Sequence, residues 1–302
     1  MSYSIESFGK LLISGEYLIL KGAKGLSIPV NFSQTLNVDE NTSGYFDWKS
    51  YDRDKKIWFS CEFKISDFYN KQNYNNNLLL YEIIKNLNEL NPGIISNKKG
   101  ISFKTFMNFN HNWGLGSSST LIRNLSKWAD VEPFSLYWKV TNGSGYDLAS
   151  CNYDKPIIYQ LIKSETPKIE SVNFIPEFHK NLYFIYLDKK QSSKSEIEYF
   201  DKINISSECI SEVSTITEEM IKCSNIIDFQ NLLNQHEKIL AKVLNKKSIK
   251  DELFNDYDGA IKSLGAWGGD FILAVGNDNT KNYFEDKGYQ TIFSFKEMLK
   301  NI

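Results

Sequence analysis

The chain has 302 residues, of which 41% are hydrophobic and 24% charged, so it is long and apolar enough to bury a sizeable core. Its net charge of −2 excludes the basic surface through which proteins bind nucleic acids or anionic membranes. The 4 cysteines and 3 histidines are scattered and have no metal-ligand spacing. No apolar run reaches the ~18 residues of a membrane span and the start lacks a signal-peptide pattern, so we expect a cytoplasmic protein.

The first half of the sequence predicts strands followed by a helix. Two short apolar runs flank a turn at residues 14–16, and the second run, residues 17–20, is predicted to be a strand because glycines bound it. Residues 59–65 alternate between apolar and polar, which indicates a half-exposed strand in a partly antiparallel sheet. Residues 78–87 follow an asparagine-rich loop with the apolar spacing of a helix.

Two buried strands are predicted at residues 156–161 and 182–187, on either side of a polar connector. We place a domain boundary in that connector, which gives an N-terminal domain of residues 1–165 and a C-terminal domain of residues 166–302.

The last third of the sequence is predicted to be mostly helical. Residues 206–245 have a helical pattern, and residues 255–264 predict another helix that ends at Gly265.

Residues 114–120 read Gly-Leu-Gly-Ser-Ser-Ser-Thr and lead straight into a helical pattern. A glycine and hydroxyl loop that opens a helix directs backbone N–H groups and the positive helix end at one point, which suits a phosphate. A simple turn followed by a helix cap explains the same residues equally well. The loop alone therefore does not decide a function.

Three further segments accompany this loop, in the order Phe8 to Tyr17, Gly143 to Ala149 and Lys262 to Phe271. Together the four segments resemble the motifs of the GHMP kinase superfamily, over residues 5 to 276. The Gly-Ser-Gly-Tyr-Asp sequence that ends at Asp147, and the aspartate directly after the late glycines, look most like the phosphomevalonate and mevalonate kinase branches. Each motif is weak alone, but their co-occurrence in this order is a strong signal.

The resemblance implies an α+β fold with an N-terminal domain of the ribosomal protein S5 domain 2-like type and a C-terminal ferredoxin-like domain. It implies ATP and Mg²⁺ as cofactors, with Ser118 as the hydroxyl on the metal. Asp147 would orient or deprotonate the acceptor, and Lys10 would stabilise developing charge. By the same resemblance, the ATP phosphates would be bound by Gly114, Leu115, Gly116, Ser117, Ser118, Ser119 and Thr120.

A set of residues in the first motif, the late glycine segment and the stretch after the strand at 182–187 is expected on the acceptor side. Basic and hydroxyl groups there suit an acidic acceptor. The alternatives stay open: Lys10 as a solvated strand end, Asp147 as a helix cap, and the glycines as a tight turn. The acceptor-side residues are Glu16, Lys190, Ser192, Ser193, Gly265, Ala266, Trp267, Gly268 and Gly269.

Two departures from the family pattern bear on the site. Residues 120–142 form a short connection in which Asp130 and Glu132 are the acids, and neither is a convincing match to the family's metal-binding acid. Trp267 stands where the family has glycine, and its indole is expected to shape the acceptor side.

The resemblance implies an ATP-dependent kinase that acts on phosphomevalonate or mevalonate in isoprenoid precursor synthesis, with a slight preference for phosphomevalonate. One alternative is diphosphomevalonate decarboxylase, and another is a nucleotide-binding sensor without catalysis. The expected partner is a small acidic substrate, with no nucleic acid or membrane, and the sequence leaves the oligomeric state open.

Overall fold

The computed structural model describes residues 2–163, 165–189 and 199–300. The chain forms two compact units, each assembled from segments that are separated in sequence. Unit 1 is made of Met1–Gly9, Phe32–His111 and Leu115–Asn152, and unit 2 is made of Lys10–Asn31, Asn112–Gly114 and Tyr153–Ile302. The division at residue 165 stays a prediction.

The strands of the first half form a mixed sheet in unit 1. They are β1 (Ser2–Ser14), β2 (Lys24–Glu40), β3 (Tyr45–Tyr51), β4 (Ile57–Lys64) and β5 (Ile101–Met107), of which β1 and β2 also run through unit 2. Strand β3 pairs antiparallel with β4 and parallel with β5, and β5 pairs antiparallel with β2. The expected partly antiparallel sheet, with a half-exposed strand over residues 59–65, is confirmed.

The helices of unit 1 are α1 (Leu78–Leu90), α2 (Ser117–Trp128), α3 (Pro133–Val140) and α4 (Tyr146–Cys151), with short 3₁₀ turns at Ile65–Asp67 and Lys71–Tyr74. The prediction of a helix at 78–87 is confirmed. Its start is fixed by Asn77, whose side chain accepts the Leu80 N–H. An aromatic core that includes Phe46, Trp48 and Phe103 packs in this unit.

Unit 2 contains β6 (Ile157–Gln160), β7 (Lys168–Ser171), β8 (Leu182–Tyr186), β9 (Ala260–Leu264), β10 (Phe271–Val275) and β11 (Ile292–Ser294). The start of β2 pairs with β6, and β6 with β7. A separate antiparallel sheet has the order β11, β8, β10, β9. The strands predicted at 156–161 and 182–187 are thus confirmed.

The helices of unit 2 are α5 (Ser207–Lys222), α6 (Ile226–Leu244), α7 (Ile249–Leu253), α8 (Thr280–Asp286) and α9 (Phe295–Met298), with 3₁₀ turns at Leu18–Lys21 and His179–Asn181. The helical prediction for 206–245 is confirmed. Helix α6 packs on β9, so the buried face of α6 meets the strand that leads into the late glycines. The mixed helix and sheet content confirms the α+β class.

Two local predictions are wrong. The run at residues 17–20 lies in a turn at Tyr17 and the 3₁₀ helix Leu18–Lys21 instead of a strand, because Gly15 and Gly22 take φ of 91° and 93° and close the chain on both sides. Residues 255–264 do not form a helix: residues 255–259 are turn and irregular structure, and residues 260–264 form strand β9. All side chains of β9 are buried, and a fully buried strand has no alternation by which it could be told from a buried helix.

No helix in the described ranges is both long and apolar enough to cross a membrane.

Candidate active site

The N-terminus of α2 in unit 1 is the first candidate region. Gly116 takes the left-handed conformation at φ 86° and caps the helix without a side chain, so the N–H groups of the first turn point out of the helix end. The Thr120 hydroxyl bonds to Gln34 Oε1 at 2.8 Å in the interior, and Leu115 is buried. Ser118 is exposed. Thr120 and Leu115 therefore anchor this helix start, while Ser118 faces outward.

Asp147, in the first turn of α4, lies directly beside that helix start. Its Oδ2 accepts a hydrogen bond from the buried Ser119 hydroxyl at 2.6 Å. Its Oδ1 accepts from the Tyr137 hydroxyl at 3.1 Å and from the Leu148 N–H at 3.0 Å. Burial and the Asp147 charge raise the pKa of Tyr137 well above its usual range, so Tyr137 stays a neutral donor. The structure thus brings the predicted Asp147 together with the predicted serine loop.

Sequence analysis did not find the partners of Asp147. Ser119 was predicted as a phosphate ligand, and the structure shows that its hydroxyl is already bonded to the carboxylate. Tyr137 belongs to no motif, and nothing in the sequence marks it. Its position follows from helix α3, which lies between α2 and α4 in the chain.

The acids of the short connection do not lie near Ser118. The Glu132 carboxylate accepts the Ser135 N–H at 2.6 Å and caps α3. Asp130 lies beyond the far end of α2, a 12-residue helix of about 18 Å. Within residues 2–163, 165–189 and 199–300, no cluster of three or more His, Cys, Asp or Glu could hold a metal. A metal on this loop would be bound by the Ser118 hydroxyl together with phosphate oxygens and water.

Unit 2 brings three of the sequence motifs together at Gly114. Lys10, which is 7% exposed, donates from Nζ to the Gly114 carbonyl at 3.2 Å. The Asp270 carboxylate lies against Gly114, and a Cβ at Gly114 would collide with it. Asp270 has a φ of 51°, and its backbone is fixed by bonds of 2.8 Å to Lys189 and Leu187. In the sequence Asp270 stands out only as a branch feature, and nothing there predicts this contact.

Glu16, predicted on the acceptor side, lies in the interior of unit 2 at 2% exposed. Its Oε1 is 2.6 Å from Lys262 Nζ, and Glu237 Oε1 is 3.8 Å from the same ammonium group. His236 Nε2 accepts the Gly15 N–H at 2.9 Å. We call Glu16, His236, Glu237 and Lys262 the buried charge cluster. The acceptor role of Glu16 stays a prediction.

Burial sets the protonation of the buried charge cluster. It raises the pKa of Glu16, which the Lys262 ammonium opposes, and raises the pKa of Glu237 to about 8. It also lowers the pKa of His236 well below its usual range, which agrees with a neutral ring whose Nε2 accepts a hydrogen bond. A pKa of about 8 keeps Glu237 protonated at neutral pH, and burial favours the neutral forms of Glu16 and His236 as well.

The late glycine loop connects β9 to β10. Gly265 and Gly268 take φ of 77° and 76°, conformations that favour glycine, and nothing lies within 4 Å of a Cβ built on Gly268.

The Trp267 indole is 6% exposed, packs in a hydrophobic cluster with Leu240, and donates from Nε1 to the Lys247 carbonyl at 3.1 Å. Its effect on the acceptor stays a prediction, as do those of Ala266 and Gly269. Lys190, Ser192 and Ser193 lie outside the described residues.

No protein-family model and no curated protein matches the chain. Solved structures do match it. A mevalonate kinase from Methanococcus jannaschii is 19% identical, with 97% of each chain covered and a TM-score of 0.71. A Streptococcus pneumoniae phosphomevalonate kinase, in complex with phosphomevalonate and AMPPNP, is 17% identical, with 96% of this chain and 99% of that chain covered and a TM-score of 0.72. A Lactococcus lactis galactokinase, complexed with galactose, is 13% identical, with 99% and 93% covered and a TM-score of 0.70.

Proposed function

The chain has the GHMP kinase fold, and on that premise we propose that it is an ATP-dependent kinase of a small acidic molecule. The observation that carries the proposal is the hydrogen bond of 2.6 Å between Ser119 and Asp147. It supports a site in which a carboxylate lies beside a helix N-terminus that suits phosphate. A plain turn and cap would need no carboxylate there.

In this proposal each residue has one chemical role. The N–H groups after Gly116 and the positive end of α2 bind the phosphates of ATP. Asp147, held in place by the Ser119 and Tyr137 hydroxyls, orients or deprotonates the acceptor group. Lys10 stabilises the charge that develops on the transferred phosphoryl group. Mg²⁺, when bound with ATP, neutralises phosphate charge, and Ser118 supplies a hydroxyl ligand to it.

For the acceptor we propose phosphomevalonate or mevalonate, and hence a role in isoprenoid precursor synthesis. The support is the Gly-Ser-Gly-Tyr-Asp sequence up to Asp147 and the aspartate Asp270 after the late glycines, which favour phosphomevalonate slightly. A neighbour of this fold was solved with phosphomevalonate and AMPPNP. A neighbour solved with galactose has a similar TM-score, so the fold by itself does not select the acceptor.

A second candidate is a nucleotide-binding sensor without phosphoryl transfer. The positions of Asp130 and Glu132 favour it, because no acid of the short connection lies near Ser118. A decarboxylase that acts on a diphosphorylated acceptor is the third, and it would release carbon dioxide.

An ATP-consumption screen with Mg²⁺ against mevalonate, phosphomevalonate, diphosphomevalonate, homoserine and sugars tests the proposal. Turnover with a phosphorylated product supports a kinase, release of carbon dioxide assigns a decarboxylase, and ATP binding without turnover assigns the sensor.

The nucleotide site is tested with Gly116→Val, which we expect to lower ATP affinity at least tenfold in a folded protein. The side chain would intrude on the phosphate position and strain the cap. Gly44→Val is the matched control, because Gly44 lies in the same unit at φ 81° with nothing within 4 Å of an added Cβ. Equal ATP affinity in both folded variants would refute the site.

A further inference from the structure

The turn that follows β1 has an unusual backbone at Tyr17. Tyr17 has φ 60° and ψ −50°, and the Leu18 N–H donates to the Glu16 carbonyl at 2.7 Å. This is a γ-turn with positive φ at its centre, a rare and strained conformation for a residue with a side chain. Such strain persists only where the surrounding structure fixes the residue, and it is common at functional sites.

The strained turn is held by several buried contacts within unit 2. Gly15, before the turn, donates to His236 and comes so close to β2 that a Cβ on it would lie 2.8 Å from Gly25 Cα. The Glu16 carboxylate pairs with Lys262 on β9 at 2.6 Å. The backbone of the turn is therefore anchored to both α6 and β9.

The Tyr17 side chain makes a separate contact with the late glycine loop. Its hydroxyl accepts the backbone N–H of Trp267 at 2.7 Å, in a buried environment. The ring lies 5.5 Å from the Phe200 ring, and it belongs to the same hydrophobic cluster as the Trp267 indole. Lys262 precedes this loop on β9, so the turn is bonded to the strand through Glu16 and to the loop itself through Tyr17.

These contacts restrict the conformations of the late glycine loop. Gly265 and Gly268 allow the loop many backbone conformations. Asp270, directly after the loop, lies against Gly114, and the Gly114 carbonyl accepts a hydrogen bond from Lys10. The hydrogen bond that the Trp267 N–H, in the middle of the loop, donates to the fixed Tyr17 hydroxyl restricts the choice of loop conformation.

We propose that Tyr17 is a positioning residue: its hydroxyl, presented by the strained turn, fixes the late glycine loop in one conformation. The proposal rests on the proposed function in one respect only, namely that the positioned loop serves the acceptor. Tyr17 acts through Trp267 and contacts no reacting atom. Its loss affects the binding of the acceptor more than that of ATP.

The experiment compares Tyr17→Phe with Tyr257→Phe. Both substitutions remove one hydroxyl from a largely buried tyrosine, and the Tyr257 hydroxyl bonds to Thr280 at 2.9 Å in a different hydrophobic cluster. Amide hydrogen exchange is measured over residues 265–270, together with thermal stability. Because a hydrogen bond contributes about 1 kcal/mol, we expect about five- to tenfold faster exchange of the Trp267 amide in Tyr17→Phe. Exchange there should be unchanged in Tyr257→Phe, with a similar fall in Tm for both.

Steady-state kinetics add a second measurement, the acceptor KM, which would stay unchanged if Tyr17 only stabilised the fold. With the acceptor found in the screen, Tyr17→Phe should raise the acceptor KM about three- to tenfold and leave the ATP affinity unchanged. Unchanged exchange at Trp267 overturns the proposal, and so does unchanged acceptor KM despite a fall in Tm. If no acceptor is turned over but exchange rises at Trp267 alone, Tyr17 still positions the loop while the kinase proposal fails.

Discussion

Asp147 and Glu16 are both carboxylates of the predicted site, and the two units treat them in opposite ways. Asp147 is partly exposed and accepts hydrogen bonds from Ser119 and Tyr137, which are neutral. Glu16 is buried and is paired with the Lys262 ammonium. Neutral donors stabilise a negative charge without cancelling it, whereas an ammonium cancels it. The hydrogen bonds around Asp147 leave its carboxylate available for chemistry. The ion pair of Glu16 with Lys262 joins the turn after β1 to strand β9.

The largest effect that would separate the two carboxylates is expected from Asp147→Asn. This change keeps the shape and removes the charge, so kcat should fall roughly 10²–10⁴-fold if Asp147 assists proton transfer, with ATP affinity nearly preserved. Steady-state kinetics on the screened acceptor would measure it. Asp130→Asn, beyond the far end of α2, is the control and should retain wild-type turnover.

The acceptor type decides how strong that effect is. A phosphate acceptor is already ionised at neutral pH and needs a base less, so Lys10→Met should then be the more damaging change. Near wild-type turnover in both Asp147→Asn and Lys10→Met would remove the kinase assignment.

Lys262→Met tests the other half of the comparison. It leaves the Glu16 and Glu237 carboxyl groups in the interior without their cation, so the free energy of unfolding should fall by about 3–5 kcal/mol. Denaturant unfolding measures this change. Lys281→Met removes an exposed ion pair with Glu285 and should cost less than about 1 kcal/mol.

A folded protein with both Lys262→Met and Glu16→Gln should recover part of the lost stability, since one buried carboxyl group is then neutral at every pH. If the single variant Lys262→Met is as stable as Lys281→Met, the ion pairs of Lys262 with Glu16 and Glu237 do not stabilise the contacts of β9 with the turn after β1 and with α6.

The pH dependence of stability gives a smaller, signed test. Desolvation raises the pKa of Glu237 in the folded protein to about 8, against 4.5 for the unfolded chain; Lys262 lowers it in part, and Glu16 raises it. Between these values the folded state binds the proton and the unfolded state releases it, so stability falls as pH rises from about 4.5 to about 8. Ser263 also faces this group, and burial lowers the pKa of the neighbouring His236 well below its usual range.

Glu237→Gln should remove that decline. Relative to wild type, the variant should gain on the order of 3–4 kcal/mol in unfolding free energy between pH 5 and pH 8, because its side chain does not titrate. Unfolding in denaturant at both pH values measures the difference, with the exposed Glu285→Gln as control. A parallel pH dependence in Glu237→Gln and wild type would place the pKa of Glu237 near its ordinary value.

The sequence predicts local features of this molecule better than it predicts pairings. The helix at 78–87 and the helix after Gly116 follow from apolar periodicity and a glycine cap, which are local properties. The pairing of Glu16 with Lys262 joins residues 246 positions apart, and no periodicity encodes it. Lys262 is the one charged residue of β9, whose five side chains are all buried, but residues 255–264 were predicted to be a helix, so this signal was missed.

Resemblance located the residues of the candidate site but not their partners. It placed Asp147 and the serine loop in one site, and the structure brings them together through Ser119. It also assigned Gly114 to phosphate, whereas the structure shows a second reason for glycine at that position, namely the Asp270 carboxylate. Contacts of this kind depend on how distant strands pair, which one sequence does not reveal.

The discontinuous course of the chain has a consequence for synthesis on the ribosome. Glu16 emerges 246 residues before its partner Lys262. At roughly 5–20 residues per second, that interval is on the order of 10–50 s. During this time the Glu16 carboxylate stays hydrated and ionised, and the strained turn at Tyr17 lacks the contacts that hold it. The first motif can therefore take its native conformation only after Lys262 and the late glycine loop have been synthesised.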